Sequence, residues 1–154
     1  MKRVIVFFLM LACAAATAPL SAAVPQTSAI SREPLYAGIV ERAGRLKTQT
    51  EALIPASRPD AAYGADIRAL AADIMTAHLD LKARGTDNDL KCILKGVSLD
   101  LNLKMDAILA AKNDADLAAA LNGMALLLGD AADVIVTPAT ADSGMDCVIE
   151  FGAG

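Results

Sequence analysis

Residues 90–108 read LKCILKGVSLDLNLKMDAI, and the fold turns on whether they coil or extend. Two periods compete in them. Val97, Leu99, Leu101, Leu103 and Met105 alternate with Ser98, Asp100, Asn102 and Lys104, the two-residue repeat of a half-buried strand. Leu90, Ile93, Leu94, Val97, Leu101, Met105 and Ile108 instead fall on one side of a 3.6-residue coil. Leu, Met, Lys and Asp are poor strand formers, whereas Leu, Met and Lys favour helices. The helical period also accounts for a longer run of the sequence, so a helix is expected over 87–112. That choice puts Leu99 and Leu103 on a second apolar strip, away from the main stripe.

The flanking sequence carries the same period. Ser57-Arg58-Pro59-Asp60 opens a helix expected over 57–84, with Ser57 as cap and Asp60 near the positive end of the dipole. Tyr63, Ile67, Leu70, Ile74, Ala77 and Leu81 form its narrow stripe, Lys82 and Arg84 sit in its last turn, and Gly85 supplies the exit. Ser31 precedes an earlier helix over 31–54, striped by Tyr36, Val40, Ala43 and Ile54. Pro34 fits its first turn, and Pro55 ends it. Thr86-Asp87-Asn88-Asp89 caps the third helix and Asn113-Asp114-Ala115-Asp116 a fourth, over 114–136. Leu117, Leu121, Met124, Leu128 and Ile135 stripe the fourth, and Pro138 bars its continuation. Residues 137–154 read as a tail.

Four amphipathic helices with short links predict an all-α, up-and-down bundle in one domain, 24–154. Ala and Leu dominate the apolar residues, aromatics make up 3% and Trp is absent. This composition suits closely packed helices.

Residues 1–23 have the three parts of a secretory signal peptide: basic Lys2-Arg3, an apolar run from Val4 to Ala16, and small residues at Ser21 and Ala23. The run of about 13 residues falls short of the ~20 that a membrane-spanning helix needs. Met10-Leu11-Ala12-Cys13 loosely resembles a lipoprotein cleavage box, which gives lipid attachment at Cys13 as the lesser expectation. Cleavage after Ala23 removes two of the 14 basic groups and none of the 18 acidic ones, leaving a net charge of about −6. An acidic chain repels phosphate backbones and anionic lipid, so neither nucleic acid nor a membrane surface is an expected partner. Residues 117–128 are too short an apolar run to span.

Cys92 and Cys147 remain after cleavage, an even number for an oxidising compartment and no C-x-x-C pair. A bridge between them would close a loop of ~55 residues, worth ~4 kcal/mol on chain-entropy grounds, and would tether the tail.

Signals for catalysis are sparse. His78 is the single histidine, with no H-E-x-x-H around it and no carboxylate three or four positions away. There is no G-x-S-x-G elbow, no calcium loop after Asp87-Asn88-Asp89 and no phosphate loop. No cofactor and no enzymatic activity are expected. Two functions follow from different premises. A non-enzymatic module would bind another envelope or secreted protein, in the manner of an inhibitor or immunity protein, through Leu99 and Leu103. A small-ligand, haem or metal carrier would use His78 with Met75, Met105 or Met124 inside the bundle.

Overall fold

The computed structural model describes residues 28–54, 57–85 and 88–137. The expected signal peptide, Cys13, Cys147 and the tail beyond Thr137 lie outside them. Among the described residues the secondary structure is entirely helical. A short 3-10 turn, Ile30–Arg32, leads into α1 (Pro34–Leu53), α2 (Ala61–Arg84), α3 (Asn88–Ala110) and α4 (Asp114–Val136). Residues 97–105 are thus coiled, and the strand period does not express itself.

The helix ends follow from local chemistry. Pro34 opens α1, where its missing N–H is no loss. Ile54, the residue before Pro55, is extended (ψ 131°), as the proline ring demands. The cap of α2 is Asp60, whose side chain accepts the Tyr63 N–H at 2.8 Å. The expectation of Ser57 is corrected: its backbone N–H donates to the Leu53 carbonyl and closes α1 instead. Pro59 explains the shift, because it favours an extended residue before it and delays the coil. Gly85 leaves α2 in the left-handed region (φ 62°). Asn113 caps α4 by accepting the Asp116 N–H at 2.9 Å, and its amide donates to the Asp116 carboxylate at 2.8 Å.

The four helices form a ring in which each packs against its two neighbours, α4 closing back on α1. The closest pairs are α2 with α3 and α1 with α4. Small residues permit this. Buried Ser98 on α3 donates to the Ala71 carbonyl of α2 at 2.7 Å, and Gly129 on α4 leaves room for the Lys47 stem of α1. Ser28, ahead of α1, donates its N–H to the Val136 carbonyl at 2.9 Å, so the chain enters and leaves the bundle at one end.

The stripes of α2 and α4 are buried as expected, with Ala71 and Leu127 added. On α3 the expected face is buried except Ile93, which is half-buried. The α1 stripe differs: its core positions are Tyr36, Ile39, Ala43, Leu46 and Thr50, while Val40 and Ile54 are half-buried. Thr50 is admitted to the core because its hydroxyl is doubly bonded, to the Leu46 carbonyl and to Tyr63 Oη, each at 2.7 Å. Among the described residues no buried side-chain nitrogen or oxygen lacks a partner.

Among the described residues one helix, α4, is long and apolar enough to cross a membrane, with a mean hydropathy of 1.5 over its best window. Its apolarity follows from its place in the ring. Leu117, Leu121, Met124, Leu128, Ala131 and Ile135 all line the core, while Asp114, Asp116, Asp130 and Asp133 stay at the surface.

Candidate functional site

The expected ligand set does not converge. His78 is buried at 6% exposure and its Nδ1 lies 2.7 Å from the Lys91 carbonyl, tying the last third of α2 to the first turn of α3. Because that carbonyl accepts, Nδ1 carries the proton. Met105 lies beside Gly64, near the start of α2. The 14 residues from Gly64 to His78 span ~21 Å of helix axis. Lys104 faces Gly123 across the α3–α4 contact, which sets Met105 and Met124 at a similar level. The two methionines are core residues of one layer, and His78 belongs to another. Only Met75, half-buried one turn before His78, shares its level. Among the described residues no group of three or more His, Cys, Asp or Glu side chains could hold a metal ion.

A polar cluster that the sequence did not advertise joins the start of α1 to the end of α2. Tyr36 Oη donates to Asp80 Oδ2 at 2.8 Å, and Arg84 pairs with Asp80 at 2.7 Å. The same guanidinium takes both oxygens of Glu33, at 2.9 and 2.6 Å. Burial and the Asp80 charge push the Tyr36 phenol far above its ordinary value. The Tyr36 hydrogen bond, and after it Arg84, hold the Asp80 carboxyl below the usual range. Arg84 does the same for Glu33. Such a phenol is no base, and every member already has its partner. The cluster acts as a clasp between helices.

Two surface grooves can be traced among the described residues. One of about 250 Å³ lies between α1 and α2, lined by Arg42, Arg45, Gln49 and Asp66. The other, open and apolar, measures about 520 Å³ and is formed by Pro59, Ala61, Gly64, Met105 and Leu109 with Arg68 at its rim. Arg68 is already engaged by Asp106 at 2.9 Å and Asn102 at 3.3 Å.

The outer apolar residues are more informative. Leu103 is 61% exposed and Leu126 70% exposed. The antiparallel register that sets Lys104 against Gly123 places these two leucines at a similar level, each on the outer face of its own helix. Leu99, one turn before Leu103, is half-buried, so the two residues expected to act as one strip have different surroundings. Leu126 was not anticipated. Its signal was the run Leu126-Leu127-Leu128: three successive helical residues cover ~200° of the wheel, more than one core face absorbs. Leu127 and Leu128 take the core, and Leu126 faces water.

Compared with known proteins, the chain matches no family model, no curated protein and no solved structure.

Proposed function

We propose that this chain is an exported, non-enzymatic helical module that acts by contact with another envelope or secreted protein. The observation that carries this is the exposed pair Leu103 and Leu126 on adjacent helices; among the described residues Leu79 and Leu109 are the other large apolar side chains left open to water. Single exposed leucines are ordinary. Two at a similar level on adjacent helices offer a partner apolar surface on both. Burying a leucine side chain is worth ~1.5–3 kcal/mol, and two give a partner something to bind.

Charge narrows the partner. α4 contributes Asp114, Asp116, Asp130 and Asp133 and has no Lys or Arg. A partner presenting an apolar ridge flanked by Lys or Arg would complement it and be steered toward it. Export is supported by the basic, apolar and small-residue succession in residues 1–23 and by an even number of cysteines thereafter. Pairing of Cys92 with Cys147 belongs to the same reading. It is supported by the half-buried position of Cys92 on α3.

A photo-crosslinking amino acid placed at 103 or 126, with position 48 on the outer face of α1 as control, tests the surface in the exported protein. Adducts to one partner from 103 and 126, absent from 48 and weakened by Asp130→Lys, are expected. Equal adducts from all three positions, or none from 103 and 126, would dispose of the proposal.

A further inference from the structure

The seam between α1 and α2 is the most open of the four in the ring, and it holds opposite charges that do not meet. Three crossings fix its register: Glu33 with Arg84, Arg42 with Asp73, and Thr50 with Tyr63. The two helices therefore run antiparallel, and each step along α1 is matched by a step back along α2. Gln49 and Asp66 each lie seven residues from the Arg42–Asp73 pair, ~10 Å along the axes, so they share one level.

The groove of about 250 Å³ lies between these two levels. Arg42 and Arg45 form its cationic end, since Arg45 reaches back one turn to Glu41. Gln49 and Asp66 form the other end, and Leu46 and Ala69 supply an apolar lining between them. Each guanidinium is only partly engaged. Arg42 gives Nη1 to Asp73 at 2.7 Å and Arg45 gives Nη1 to Glu41 at 2.8 Å. Among the described residues Nε and Nη2 of both arginines have no partner, and neither do the side chains of Gln49 and Asp66. Nothing in the protein joins this carboxylate to the two cations that share its groove.

That arrangement restricts what can sit there. A simple anion meets Arg42 and Arg45 but is repelled by Asp66, and a simple cation meets Asp66 but is repelled by the arginines. A molecule with both charges satisfies both ends. A guanidinium edge takes a carboxylate through two parallel hydrogen bonds. An ammonium has three protons to give, enough for Asp66 and Gln49 Oε1 together. The small side chain of Ala69 leaves space above Leu46 for a short apolar part. Drug-sized ligands need at least ~300 Å³, so this groove suits something smaller. We propose that the α1–α2 groove binds a small zwitterion of the amino-acid or dipeptide class, its carboxylate on Arg42 and Arg45 and its ammonium on Asp66 and Gln49. The groove lies across the ring from the α3 and α4 faces that carry Leu103 and Leu126, so this site stands or falls independently of the partner surface.

NMR titration of the exported protein with L-alanine, glycylglycine, acetate and ethylammonium tests the site. At least one zwitterion should shift the resonances of Leu46, Gln49 and Ala69, with an affinity at least ~tenfold above that for acetate or ethylammonium. Asp66→Asn should remove the preference for the zwitterion over acetate, and Arg45→Gln should weaken zwitterion binding several-fold. Ala69→Leu fills the groove from an exposed position; it should abolish binding and leave the thermal midpoint in place. Acetate or ethylammonium binding as tightly as both zwitterions would overturn the proposal. So would the absence of shifts with all four probes, or shifts that persist in Ala69→Leu.

Discussion

Thr50 and Tyr63 meet inside the core with their hydroxyl oxygens 2.7 Å apart, and only one of them depends on the other. Thr50 spends its single proton on the Leu46 carbonyl at 2.7 Å, so Tyr63 must be the donor between them. Tyr63→Phe leaves Thr50 still bonded and should cost ~1 kcal/mol. Thr50→Val strands a buried phenol and should cost ~2–3 kcal/mol. The double variant should match Tyr63→Phe alone, because the stranded donor is gone. Urea titration of the three variants decides it; equal single costs would mean the bond runs the other way.

The clasp of Glu33, Asp80, Arg84 and Tyr36 makes the bundle sensitive to acid. Both carboxyls have lowered pKa values when folded, so the unfolded chain binds more protons in acid. Their contribution is complete above the ordinary carboxylate range and is lost as pH falls through the lowered values. Chemical denaturation midpoints should fall steadily below about pH 4, and Asp80→Asn should flatten that fall. A slope unchanged in Asp80→Asn would show that other carboxylates govern acid unfolding.

On α3, Leu101 is fully buried and Leu103 is 61% exposed, although a strand would put both on one face. Leu101→Ala should cost ~2–5 kcal/mol. Leu103→Ala should stay within ~0.5 kcal/mol of the parent. Comparable losses at the two positions would contradict the helix.

Gly64 within α2 and Gly85 at its exit should respond with opposite sign. At Gly64 an added methyl would meet Met105 Cε at 3.6 Å, an ordinary contact, so Gly64→Ala should stabilise by ~0.5–1 kcal/mol. At Gly85 the backbone has φ 62°, and Gly85→Ala should destabilise by ~1 kcal/mol. Thermal melts of both variants suffice, and a destabilised Gly64→Ala would mean that α2 and α3 lie closer than described.

The helices were legible because each stripe repeats over several turns, and the limits of α4 fell on 114–136 as read. Where local chemistry competed, the reading slipped. Ser57 and Asp60 are both good caps, and only the proline between them separates their roles. On α1, Thr50 and Leu46 displaced Ile54 and Val40 from the core because Tyr63 offered Thr50 a bond that periodicity cannot show. The clasp was invisible for a similar reason: Arg84 and Glu33 are 51 residues apart in sequence and meet only through the ring. The exposure of Leu103 follows from its spacing alone. The difference between Leu99 and Leu103 does not, since adjacent turns of one stripe carry no mark of what lies over them.

The hydrogen bond from Ser28 to Val136 gives this bundle nearly coincident ends. A circular permutant joining 28 to 136 through a few flexible residues, and opened at the 111–113 turn, would keep all four neighbouring contacts. Anything fused directly at 28 or 137 would hang from the same pole, leaving the opposite tip and the outer faces that carry Leu103 and Leu126 unobstructed.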